Sequence, residues 1–254
     1  MSSNPYAAPK AAVVDAATAP QGNFLPGGRG VAAGRGWDWI VGGWQLFKKQ
    51  PGMWIGLVVV ALIIFIVLAV IPFIGSLALA IIGPVFVGGV VLGCRALDEG
   101  GELGLGHLFA GFRHKFGTLA AVGALNLAAQ VVIMIVVMVI TGASLFTLKE
   151  GGAGAGVAMG MVLAILVMLA LMIPVAMAVW FAPGLVVLNE RGAVEAMKES
   201  FTGCLKNIVP FLVYGVVLLG LSIVASIPLG LGWLVLGPVV AASIYTAYRD
   251  IFFS

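Results

Sequence analysis

The sequence predicts an all-α integral membrane protein of six transmembrane helices, arranged as three pseudo-repeated units of an interfacial amphipathic helix plus a transmembrane hairpin. Three observations predict this class. Hydrophobic residues make up 62% of the 254, and charged residues only 9%, against roughly 25% charged in soluble domains. A soluble body of this size could not cover its surface with so few charges, whereas lipid solvates apolar side chains without cost. Six runs are continuously apolar over roughly 20 residues, the length that crosses about 30 Å of hydrocarbon as a helix. Lys and Arg gather in every second connection between those runs, as they do beside the cytoplasmic face of a membrane.

Along the chain, residues 1–36 are rich in Ala, Gly and Pro and poor in bulky apolar side chains. Such a stretch buries too little surface to offset chain entropy. It is expected to be a disordered cytoplasmic tail before a membrane domain over residues 37–254. No cleaved signal peptide is expected, because Lys10 and Asp15 interrupt the only Ala-rich part. The first span covers about 52–71, and a turn at Pro72, Gly75 and Ser76 returns the chain through 77–94, closed by Arg95. The third span is about 118–140. Gly151 to Gly156 reads as a loop before the fourth, about 157–181. The fifth is 208–227, and Pro228-Leu229-Gly230 turns the chain into the sixth, 231–248. None of these runs alternates with the two-residue period of a barrel strand. A helix also pairs its own backbone polar groups, as lipid demands.

One set of connections holds Lys48, Lys49, Arg95, Arg113, Lys115, Arg191, Lys198, Lys206 and Arg249, and the opposite set holds only Lys149. This asymmetry puts both termini in the cytoplasm. Short amphipathic segments precede the first, third and fifth spans. Their apolar stripes are Trp37, Ile40, Val41, Trp44 and Phe47, then Leu105, Leu108, Phe109, Phe112 and Phe116, then Ala193, Met197, Phe201, Cys204 and Leu205. Each can lie flat in the headgroup layer. Lys48, Lys49, Arg113 and Lys115 would then meet anionic lipid.

The spans that close the units carry matching prolines. Gly83-Pro84-Val85 and Gly237-Pro238-Val239 each precede an arginine, Arg95 or Arg249, and Ile173-Pro174-Val175 is a weaker middle copy. Pro84, Pro174 and Pro238 each remove a backbone donor and are expected to kink their helices. Small residues four apart, such as Gly89 and Gly93, or Gly160 and Ala164, suit close helix packing. That packing would be internal, or against a membrane protein partner or a second copy.

The search for chemistry returns little. Asn126 and Gln130, one turn apart on the third span, are the strongest intramembrane polar pair. They would bond another helix or line a polar cavity. Ser222 and Ser226 repeat that spacing more weakly. His107 and His114 lack a third ligand, so no metal site is expected. Asp98, Glu99 and Glu102 sit among glycines as a solvated turn, and those glycines lack the lysine of a phosphate loop. Cys94 and Cys204 are expected to be reduced thiols. No catalytic residue, cofactor or nucleic-acid partner is indicated.

The stretch Ala182-Pro183, an apolar run, then Glu190, Gly192, Ala196, Ser200 and Asn207 resembles a motif of several bacterial six-helix membrane families. One is the membrane domain attached to some glycerophosphodiester phosphodiesterases. Asn4-Pro5-Tyr6, Leu46-Phe47 with Pro51, and Tyr245, Tyr248, Arg249 and Asp250 are similar to an uncharacterised family of proteobacterial inner-membrane proteins. The resemblance implies fold and location in the inner membrane. It brings no catalytic residue, since phosphodiester chemistry belongs to a separate soluble domain. The expected function is that of a non-enzymatic scaffold, accessory or lipid-interacting protein. The alternative is a transporter or channel for a small or weakly polar solute.

Overall fold

A computed structural model describes residues 22–149 and 154–254 of the chain. The first 21 residues of the expected tail, and positions 151–153 of the expected loop, lie outside the described residues. All regular structure among the described residues is helical, apart from a single bridge between Phe24 and Phe253.

Helix α1 (Arg35–Lys49) has Asp38 in its first turn and Lys48 and Lys49 in its last, which opposes the helix dipole at both ends. Gln50 stops it, and Pro51 opens α2 (Pro51–Ala69) at a position where its missing N–H costs nothing. The chain turns through Phe73, at φ 59°, into α3 (Ile74–Asp98). A 3-10 turn (Leu105–Phe109) and the short α4 (Ala110–Arg113) lead to α5 (Phe116–Lys149) and α6 (Gly154–Trp180). There follow α7 (Ala182–Asn189), α8 (Ala193–Lys206), α9 (Ile208–Ser226) and α10 (Trp233–Phe252). Five stretches are long and apolar enough to cross a membrane: α2, α3, α5, α6 running on through α7, and α9. Helix α10 is not among them, since its last turns carry Tyr245, Tyr248, Arg249 and Asp250.

The core lies at one end of the bundle. It takes α3 from Pro84 to Leu97, α10 from Leu236 onward, all of the first half of α7, and the inner faces of α1 and α8. The remaining stretches of α2, α5, α6 and α9 bury few side chains within the protein, as lipid-facing helices should. Helix α1 approaches α10 closely because Gly42 and Gly43 face it. A Cβ at Gly43 would lie 2.5 Å from the Val239 carbonyl, and one at Gly42 2.9 Å from Thr246 Cγ2.

Several expectations need revision. Residues 22–34 are packed onto the end of α10 rather than trailing free, because Arg29, Arg35 and the local backbone find polar partners there. Helix α6 begins at Gly154, inside the expected loop. The apolar residues of α1 fall on two sides: Ile40 and Phe47 are buried, while Trp37, Val41 and Trp44 point outward. In the second segment, Lys115 at φ 59° and the 3-10 geometry break the chain before α5, so no single amphipathic helix forms there. Pro84, Pro174 and Pro238 all lie inside continuing helices, the first and last buried and Pro174 exposed. A separate interruption lies at Phe181, two residues before Pro183.

Candidate functional site

Many of the charged residues pair with one another at the packed end. Asp250 is the hub, with its side chain only 7% exposed. Arg35 donates to it twice, from Nε at 2.7 Å and Nη2 at 2.8 Å, in the fork geometry that suits a carboxylate. Trp39 Nε1 adds a bond at 2.8 Å, and Arg29 lies 3.6 Å away. Burial alone would raise the Asp250 carboxyl, but the bonds from Arg35 and Trp39 and the charges of Arg35 and Arg29 outweigh it and hold it below its ordinary value. The same contact holds the Arg35 guanidinium more firmly protonated.

A strap of residues 22–34 is sewn down around that hub. Leu25 N donates to Phe252 O at 2.8 Å, and Arg29 N to Ile251 O at 2.8 Å. Asn207 is fully buried, and its amide accepts from Val31 N and donates to Arg29 O and Gly203 O, each at 2.8 Å. Lys206 Nζ donates to the carbonyls of Gly27 and Gly28. Arg191 lies over the Phe24 ring, 5.0 Å from its centre. It also pairs with Glu195 at 2.9 Å and with Glu199 at 3.3 Å. Burial raises the Glu199 carboxyl, and Arg191 only partly offsets this.

On the neighbouring side of α10, Tyr245 donates to Asp98 Oδ2 at 3.0 Å, and Arg249 bonds the same oxygen at 2.8 Å. Tyr248 donates to Asn189 Oδ1. Arg95 pairs with Glu99, and Lys49 caps the Leu97 carbonyl at 2.6 Å. Arg95, Glu99, Asn189, Tyr245, Tyr248 and Arg249 line a cavity of about 80 Å³. The break at Phe181 is bridged by Ser200, which is fully buried. Its hydroxyl accepts from Phe181 N at 2.9 Å and donates to Met177 O at 2.6 Å, so the groups freed by the interruption remain paired.

The larger cavities are apolar grooves along the helix seams. One of about 510 Å³ lies between Trp37 and Trp44 of α1 and the facing ends of α9 and α10. A second, about 320 Å³, runs between α2, α3 and α10, and a third, about 270 Å³, between α6, α8 and α9. All three are walled almost wholly by carbon, which suits hydrocarbon chains and offers no path for an ion.

The expected polar pair lies on α5, apart from the groups described above. Asn126 is half-buried and Gln130 exposed on α5, neither hydrogen-bonds a described residue, and neither lines a cavity named above. Among the described residues, no three His, Cys, Asp or Glu groups gather as metal ligands. His107 Nδ1 instead lies 3.0 Å from the Gly104 amide, and His114 is exposed. The acidic turn is partly engaged: Asp98 and Glu99 are paired to arginines. Gly89, Gly93 and Gly160 face other parts of this chain, which is the internal use of small residues. Asn207 stands at the start of α9, where its side chain makes no cap bond and clamps the strap instead. In the sequence Asp250 stands only within the closing motif, and Arg29 and Arg35 only as charges of the expected tail.

No family model matches the chain, and no solved structure matches it. A protein of Burkholderia thailandensis named as a probable inner membrane protein is 27% identical over 207 residues, covering 77% of this chain and 76% of that one. With the apolar helices, this marks a multi-pass inner-membrane protein. The likeness to phosphodiesterase-linked membrane domains rests on the sequence motif alone.

Proposed function

We propose that the chain is a non-enzymatic, lipid-interacting accessory protein of the bacterial inner membrane, with both termini in the cytoplasm. The observation that carries this reading is the separation of chemistry along the bundle. Every ion pair among the described residues lies at one end, while the seams further along the bundle are apolar grooves. Six crossings fit this picture. Helix α10 is sheltered by α1, α2 and α3, so it can be less apolar than a lipid-facing span.

Three units follow from the element order. Helix α1 leads into α2 and α3, the 3-10 turn and α4 lead into α5 and α6, and α8 leads into α9 and α10. The exposed faces of Trp37, Trp44, Phe109, Phe112 and Phe116 support seating at the headgroup boundary. Lys48 and Arg113 are exposed and form no ion pair among the described residues, which leaves them available to anionic headgroups. Lys115 is partly engaged by Glu190 at 3.6 Å, and Lys49 by Leu97. The motif likeness to phosphodiesterase-linked domains belongs to this reading too: Ala182, Pro183 and Ser200 form the bridged helix break.

Extraction into native-lipid nanodiscs, followed by analysis of retained lipid, tests the proposal. Enrichment of particular lipids over the surrounding membrane, or a co-purifying membrane protein, is the expected result. Retained lipid of bulk composition with no partner overturns it.

A further inference from the structure

Between the 80 Å³ polar cavity and the α2/α3/α10 groove lies a third, very small one that shares walls with both. The polar cavity shares Tyr245 and Tyr248 with this chamber, and the chamber shares Val87, Val91 and Ile244 with the groove. The three therefore lie in series from the charged end of the bundle to membrane depth. The chamber measures about 10 Å³, close to the least that holds one water. Both tyrosine rings are buried at the threshold, and their hydroxyls reach back to Asp98 and Asn189.

We propose that this series is one binding site for a zwitterionic phospholipid of the cytoplasmic leaflet, closed at Tyr245 and Tyr248 in this structure. It deepens the lipid-interacting reading and rests on it. Length supports the acyl chain: from Trp54 to Phe65 the groove follows α2 for eleven helical rises, about 17 Å at 1.5 Å each. That matches one leaflet, half of a core about 30 Å thick. Charge selects the headgroup. The mouth carries two guanidiniums, Arg95 and Arg249, each paired with one carboxylate, Glu99 and Asp98. Its sum is zero with both signs present, which complements a phosphate next to an ammonium rather than a net anion. Entry requires the tyrosine rings to part, and only their hydroxyl bonds and packing oppose that.

The test is native mass spectrometry of protein released from nanodiscs holding equal phosphatidylethanolamine and phosphatidylglycerol. Wild type should carry a bound phospholipid with the ethanolamine type favoured at least about fivefold. Ala241→Trp and Val58→Trp, which fill the groove from α10 and from α2, should each lower that adduct about fivefold while elution remains monodisperse. Glu99→Gln should reduce the headgroup preference about threefold and leave total lipid unchanged. A tyrosine-to-phenylalanine change at both 245 and 248 should speed lipid exchange. Adducts that persist unchanged in both Trp variants overturn this site while leaving the broader lipid reading intact. Preference for phosphatidylglycerol overturns the headgroup assignment. Wild type with no retained lipid overturns both readings.

Discussion

Replacing Asp250 by Asn should free the strap without unfolding the bundle. The carboxylate accepts two bonds from Arg35 and one from Trp39, and faces Arg29 at 3.6 Å. Asparagine keeps one acceptor oxygen and turns an NH₂ toward a guanidinium. One charge-assisted bond, worth about 1.5–3 kcal/mol, is lost, and the others fall to the neutral range of about 0.5–1.5 kcal/mol. Arg35 and Arg29 are close to half exposed and regain water, so the sum must be discounted. A net cost of about 2–3 kcal/mol remains, equivalent to roughly a 30- to 150-fold rise in local opening. Hydrogen exchange reads this directly at the amides of Leu25, Arg29 and Val31, whose acceptors are Phe252, Ile251 and Asn207. Amides in the buried half of α3 serve as the unchanged control. Strap amides that exchange within threefold of wild type would refute the reasoning. Acid should reproduce the effect. The folded carboxyl lies below its ordinary value, so its contribution is complete above about pH 3.9. It is lost as pH falls through the lower folded value.

Ser200→Ala removes the hydroxyl that bridges the Phe181 break and strands a buried amide, so it should cost about 1–3 kcal/mol and lower Tm by several degrees. Gly43→Ala drives a Cβ into the Val239 carbonyl and should cost about 1–3 kcal/mol. Gly220→Ala, with nothing within 4 Å, should be neutral or stabilise by up to about 1 kcal/mol. Both are read from thermal melts in one detergent. Cys94 and Cys204 are buried, and burial pushes the Cys204 thiol up to about 12, so neither should react with maleimide at neutral pH until the protein unfolds.

The lipid-facing helices were the most legible part of the chain. The expected span at 208–227 is α9 at Ile208–Ser226, and that at 52–71 is α2 at Pro51–Ala69. Their signal is composition, and nothing nearby competes with it. The interfacial segments were less legible, because periodicity does not say which apolar face meets protein and which meets lipid. Trp39 is 1% exposed and Trp44 42%, although both belong to the same helix. The strap was hidden for another reason. Its Ala- and Gly-rich sequence buries little apolar surface, and it is held by backbone groups meeting Asn207, Lys206 and Phe252, whose pairing no local pattern announces. Asn126 and Gln130 stood out only because polar residues are rare in such spans; the residues that join elements, Ser200 and Asp250, are ordinary in sequence and distinctive only in their partners.

The account depends on the turns at Phe73 and Leu229 lying across the membrane from Arg113. Single cysteines placed at these three positions, in a background where the two native thiols are silent, can be labelled in intact cells with a maleimide that does not cross the membrane. Phe73 and Leu229 are 90% and 97% exposed, so access is not limited by packing. The account predicts labelling at 73 and 229 in intact cells, and at 113 only after permeabilisation. Labelling of 113 and 229 from the same side would contradict it.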